Sequence, residues 1–213
     1  LRPGLLTGLI HALRHNVSRK NYDVALFEIG RVFGLRTAEK SVRGPIEERR
    51  IGIALTGQRN PVFWSGDGRG AKFDIHDLKG VLEEFFEQFG LRGMSYQRRS
   101  GASGWFLESA AIQLGKQTLG ELGLLSPTLT KKYDLRDAVL LAELNLDLLL
   151  ARRNPAKSFK PLPQFPSIRR DVAMLVSETT THDAVLQLVK QTKPANLESV
   201  DLFDVFRGKN VPA

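Results

Sequence analysis

Residues 94–145, MSYQRRSGASGWFLESAAIQLGKQTLGELGLLSPTLTKKYDLRDAVLLAELN, decide the fold. Four short apolar runs lie within them, at Met94 to Arg98, Leu107 to Leu114, Thr118 to Leu122 and Ala138 to Asn145, separated by glycine turns such as Gly101 to Gly104. Strands that follow one another without an intervening helix predict antiparallel pairing, and such a sheet needs helices elsewhere in the chain to cover it. The predicted class is α+β rather than a doubly wound parallel sheet.

The covering helices are legible on the N-terminal side. Leu5, Leu6, Leu9, Ile10, Leu13 and Val17 recur at three- and four-residue spacing behind Pro3, which predicts a half-buried helix over 3–19. Asn21 to Asp23 breaks it. Val24 to Ile29 then leads through Gly30 to Val32 and Phe33 as a strand, Arg36 to Arg50 reads as a charged connection, and Ile51 to Thr56 as the next strand. Over 74–90, Ile75, Leu78, Leu82, Phe85, Phe86 and Phe89 form a wide apolar stripe that Gly90 stops, so these phenylalanines belong to a core.

Toward the C-terminus, Asn154-Pro155 opens a proline-dense linker with Pro161, Pro163 and Pro166. Beyond it, Arg170 to Val176 reads as a strand, Thr181 to Thr192 as a helix with Ala184, Val185, Leu188 and Val189 inward, and Leu197 to Phe206 as a strand. This β-α-β order is half of a split ferredoxin-like unit, which buries its sheet face poorly without further residues or another surface. A first residue Leu1, no signal-peptide layout and an end that runs straight out of a predicted strand make the expected object an excised fragment.

Composition narrows the function classes. The 213 residues include 31 Lys+Arg against 23 Asp+Glu, a net charge of +8, 42% hydrophobic residues and no cysteine. A folded protein follows, and disulfides, thiolate metal sites, redox pairs and cysteine nucleophiles are excluded; a reducing cytoplasmic home fits. The longest apolar stretch, Ala138 to Ala151, contains Glu143, Asn145 and Asp147, so no ~20-residue bilayer span is expected and no membrane partner. Bases cluster: Arg152, Arg153, Lys157, Lys160, Arg169 and Arg170 occur between Leu148 and Arg170 without an acid, and Arg92, Arg98 and Arg99 between Gln88 and Leu107 likewise. Such tracts suit a phosphate backbone or, more blandly, a solvated face.

Catalytic patterns fail one by one. The glycines of SGDGRG, Ser65 to Gly70, lack the strand-to-helix context of a dinucleotide loop and read as a turn, while Gly115-Lys116 and Gly208-Lys209 lack the following Ser or Thr of a P-loop. His11 and His15 have the i, i+4 spacing of two zinc ligands, but Ala12 stands where a metalloprotease carries its glutamate base. His76 and His182 have no evident partners, and the adjacent pairs Glu47-Glu48 and Glu83-Glu84 point apart. No catalytic residue and no metal site is expected.

Seven segments occur in an order that resembles one family: LRPGLL (1–6), LFEIGRVF (26–33), KFDIHDLKGVLE (72–83), LGELG (119–123), AELNLDLL (142–149), FPSIRRDVAMLV (165–176) and VDLFDVFRG (200–208). They are similar to the C-terminal part of the β subunit of bacterial phenylalanyl-tRNA synthetases, across essentially the whole chain. The resemblance implies a non-catalytic copy of the class II synthetase sheet with flanking helices, residues 1–157, followed by the first half of a ferredoxin-like anticodon-binding domain, residues 158–213. It implies an α2β2 ligase in which the phenylalanyl-tRNA synthetase α subunit uses ATP and magnesium, with no cofactor held by this part. Phe33 is followed by Gly34-Leu35-Arg36-Thr37-Ala38 rather than by the Arg-x-Glu that grips ATP in active class II domains, and the later glycine-rich segment ending in arginine is also missing. A site without those cations lacks its main means of stabilising charge on transferring phosphate.

For the second half the resemblance implies contact with phenylalanine tRNA. Phe206 is then the aromatic that stacks on an anticodon base, with Arg169, Arg170, Arg207 and Lys209 as phosphate contacts. The structural alternative puts Phe206 in a core and pairs Arg170 with Asp171 or Asp204. At the level of the whole chain the competing reading is a stand-alone regulatory or RNA-binding module on a synthetase-like sheet, without ligase activity.

Overall fold

The computed structural model describes residues 1–35, 45–60, 70–100, 104–154, 164–192 and 194–206. It divides into two compact units, residues 1–159 and 160–213. The linker over 155–163, the expected charged connection as far as residue 44, and the SGDGRG segment before Gly70 lie outside the described residues.

In the first unit the order is α1 (Leu6–Val17), β1 (Val24–Leu35), β2 (Pro45–Thr56), α2 (Ile75–Gln88), β3 (Met94–Arg98), β4 (Phe106–Leu114), β5 (Gln117–Leu125), α3 (Pro127–Lys132), β6 (Val139–Asn145) and α4 (Leu146–Arg152). The strands form one sheet in the order β1-β2-β6-β5-β4-β3, and every neighbouring pair is antiparallel. The α+β antiparallel sheet expected from residues 94–145 is therefore present, with helices on both faces.

Strand β6 shows how the core is divided. Val139 and Leu141 pack with Leu6, Leu9, Ile10 and Leu13 of α1 on one face; Leu140, Ala142 and Leu144 pack with Leu78, Leu82 and Phe86 of α2 on the other. Being buried on both sides, β6 reads as a continuous apolar run rather than an alternating one. Each of these leucines contributes about 1.5–3 kcal/mol on burial.

Helix α2 starts at a capping box in which the Asp74 side chain accepts from the N–H of Asp77 while the Asp77 side chain accepts from the N–H of Asp74. It ends through Gly90, at φ +68°, with Leu91 N–H donating to Phe86 O at 3.0 Å. A Cβ at Gly90 would also run into the Asn154 carbonyl, so glycine is required there twice over.

Two expectations for this unit change. Residues 45–50 belong to β2 instead of a connection: charged side chains occupy both faces there, and the ladder is kept by backbone pairing with β1 and by the Arg31–Glu47 ion pair. Helices α3 and α4 are additions. Helix α3 opens on Pro127, and α4 is capped by Asn145, whose side chain accepts from Leu148 N–H at 2.9 Å.

The second unit contains one helix, α5 (His182–Thr192), among its described residues. No strand is present at Arg170 to Val176 or Leu197 to Phe206, where one was expected on each side of the helix. A strand is held by its ladder, and no described residue pairs with either segment. Their apolar side chains lie open, Val172 at 74% and Phe203 at 64% exposure. On α5, Val185, Leu186 and Val189 are half-buried, whereas Ala184 and Leu188, expected inward, are exposed because no sheet covers them.

Candidate functional site

The face of the sheet that carries α1 also carries a row of polar side chains. Cross-strand partners point to the same side, and the register links Glu28, Gly52, Glu143, Glu121, Ala111 and Gln97 across β1, β2, β6, β5, β4 and β3. Each carboxylate in the row holds a guanidinium: Glu28 with Arg2, Glu143 with Arg50 at 2.6 Å, and Glu121 with Arg99 at 2.8 Å. Gln97 accepts from the Gln113 amide at 2.9 Å.

Glu143 is the keystone of this arrangement. It is 7% exposed, and its Oε2 accepts from the backbone N–H of Leu5 at 2.8 Å and of Leu6 at 3.3 Å. Leu5, at the N-cap of α1, has no side chain able to cap, so a carboxylate from β6 satisfies the free N–H groups and meets the positive end of the helix. The Arg50 guanidinium then neutralises it. Burial alone would pull the Arg50 pKa down, but hydrogen bonds to Glu143 and Glu48 more than offset that and the net shift is upward. The N-terminal segment lies against the same part of the face: Arg2 donates to Arg31 O at 2.8 Å, Phe33 N–H donates to Arg2 O at 2.9 Å, and Arg2 fills the space over Gly30.

Titration elsewhere in the unit follows simple causes. Asp74 is held below the ordinary carboxylate range by the Asp77 backbone N–H, and Asp147 by the backbone N–H and guanidinium of Arg49. Burial would raise Asp137, but hydrogen bonds from Lys72 and Arg136 outweigh it and hold it low. Burial pushes the Tyr96 phenol up to about 12, with the Glu83 charge adding to the shift. None of these moves toward neutrality, where a proton-transfer group would work.

The residues singled out from the sequence fare differently. Arg99, in a base-only tract, is tied to Glu121, and Arg98 stands 3.4 Å from Glu108. His11 packs edge-on to Tyr133 and His15 contacts Arg19, and no group of three His, Cys, Asp or Glu residues suited to a metal occurs among the described residues. In the second unit Phe206 is 72% exposed and thus outside any core. Arg169 reaches the Phe203 ring at 5.9 Å and Asp171 at 3.8 Å, which brings the 164–176 segment to the one that ends at Phe206. Arg170 is exposed and has no ion pair among the described residues. Arg207 and Lys209 lie outside them.

Sequence reasoning missed Glu143, Arg50 and Glu121 as one arrangement. The available signal was a lone acid inside the buried run VLLAELN, since a carboxylate in such a strand must find a partner.

Comparison with known proteins bears on both units. Residues 1–146 match the family model of the phenylalanyl tRNA synthetase beta chain CLM domain. The chain belongs to this family. Residues 163–213 match the ferredoxin-fold anticodon binding domain. Relatives include the phenylalanine–tRNA ligase beta subunits of Geobacillus kaustophilus, 34% identical over 100% of this chain and 26% of that protein, and of Streptococcus pneumoniae, 34% identical over 99% and 26%. The chain thus spans about a quarter of the length of the curated relatives it matches. A pyrrolysyl tRNA synthetase structure from Desulfitobacterium hafniense aligns with TM-score 0.51 at 18% identity, covering 70% of this chain and 49% of that one, a likeness of fold. No described helix is long and apolar enough to cross a membrane.

Proposed function

We propose that this chain is the non-catalytic, class II-like part of a phenylalanine–tRNA ligase β subunit, joined to an anticodon-binding segment. In this reading it works in the cytoplasm within an α2β2 assembly, scaffolding the α subunit and gripping phenylalanine tRNA. The observation that carries it is the pairing on the sheet face: the guanidiniums of Arg2, Arg50 and Arg99 are each neutralised by a carboxylate. ATP activation needs cations free to meet charge developing on phosphate, and these residues do not fit that demand. ATP and magnesium are accordingly assigned to the α subunit, and the sheet is left to fold, to hold its shape and to present surfaces.

The tRNA half of the proposal rests on Phe206, Arg169 and Arg170, with Arg207 and Lys209 as further phosphate contacts. Exposed aromatic rings beside cations suit the splayed bases of a single-stranded loop. Residues 1–157 would form the scaffold and 158–213 the RNA-binding part. The comparisons lend nothing to a stand-alone regulatory module.

ATP–pyrophosphate exchange tests the division of labour. The full-length protein without its α subunit should give no phenylalanine-dependent exchange, and the reconstituted pair should charge phenylalanine tRNA. Exchange by the β protein alone would overturn the reading.

A further inference from the structure

The first unit carries a second basic surface that neither the charge tracts nor the sheet face accounts for. Residues 1–22 contain four bases, Arg2, Arg14, Arg19 and Lys20, and no acid. Leu6, Leu9, Ile10 and Leu13 turn one side of α1 into the core, which leaves His11, Arg14 and His15 together on its exposed side. Arg19 extends that strip, its guanidinium 3.0 Å from His15 Nδ1. The T-shaped contact between His11 and Tyr133, with centroids 5.3 Å apart, joins the strip to the end of α3, where Lys131 and Lys132 are exposed.

None of Arg14, Lys20, Lys131 and Lys132 has a carboxylate within ion-pair distance among the described residues, in contrast to the arginines of the sheet face. Unpaired cations keep their full charge for the phosphates of a partner. We propose that the α1–α3 surface is a binding site for the phosphate backbone of duplex RNA, separate from the anticodon-binding segment. It rests on the function proposed above only in taking RNA as the molecule the protein handles. Neutralisation of phosphates by this strip is independent of base sequence, so it adds affinity and orientation rather than specificity.

The test uses the full-length protein in complex with its α subunit, and two probes: phenylalanine tRNA and a short RNA duplex without a loop. The double variant Arg14→Gln/Lys132→Gln should weaken binding of both probes about tenfold and lower the slope of log K against log salt by about two, one unit per phosphate released. A second double variant, Arg14→Gln/Lys131→Gln, should act in the same direction. Phe206→Ala should weaken tRNA binding and leave the duplex unaffected, so failure of the anticodon reading and failure of this one are distinguishable. Unchanged affinity and salt slope for both probes in both double variants, with unchanged melting temperature, would overturn the proposal. So would loss of the α subunit in place of loss of RNA, which would make the strip a contact for an acidic protein surface.

Discussion

The two units treat similar apolar sequence in opposite ways. Leu78, Leu82 and Phe86 of α2 vanish into a core because a six-stranded sheet lies beneath them, whereas Leu188 of α5, on a helix of comparable amphipathicity, stays 62% exposed. Helical periodicity prepares a face, and only a partner surface buries it. The same contrast holds for charge. Arginines on the sheet face are closed by carboxylates, while Arg170 of the second unit stands free among the described residues. The sheet face is closed by its own contacts, whereas the second unit, like the α1–α3 strip, keeps groups available for something else.

Truncating an apolar side chain in each unit should have very different effects. Phe86→Ala should destabilise the first unit by about 3–5 kcal/mol, whereas Leu202→Ala in the second should change the stability of the protein by less than about 0.5 kcal/mol; denaturant melts followed by circular dichroism measure both. Equal losses would mean that the second unit has a core of its own. Glu143→Ala comes next. It uncaps α1 and leaves the Arg50 guanidinium without its main partner, at a cost of about 2–3 kcal/mol, and Glu143→Gln should recover part of that by keeping an acceptor for the Leu5 and Leu6 N–H groups.

Acid should separate the units more gently. Asp74, Asp137 and Asp147 are all held below the unfolded carboxylate value of about 3.9. Their contribution is complete above that value and is lost as pH falls through the folded pKa values. The first unit should therefore lose melting temperature below about pH 4, and Asp137→Asn should flatten that dependence. The smallest structural effect belongs to Phe206→Ala, which should leave melting unchanged yet weaken tRNA binding by about 1–3 kcal/mol in a filter-binding titration.

What was legible in the sequence was local. The antiparallel sheet followed from strands 94–145 arriving without helices between them, and α2 from its stripe and Gly90 stop. The extension of β2 to Pro45 was hidden because charged residues on a ladder look like a loop when their ion-pair partners are on another strand, as Glu47 is to Arg31. Glu143 was hidden for the same reason: its partners Leu5, Leu6 and Arg50 are 138, 137 and 93 residues away in the chain. The strands expected at 170–176 and 197–206 failed in the other direction, since β-rich composition specifies a strand only where a neighbour completes its hydrogen bonds. Arg169, Arg170 and Phe206 could be named from their motifs, but their exposure could not.

Hydrogen exchange on the full-length αβ complex separates RNA binding by the second unit from nucleotide binding on the sheet. Adding phenylalanine tRNA should slow exchange in residues 164–206, and adding ATP with phenylalanine should leave the sheet-face strands at Gln97, Glu121 and Glu143 unchanged. Protection of those strands by ATP and phenylalanine, with none in 164–206 on adding tRNA, would contradict the account.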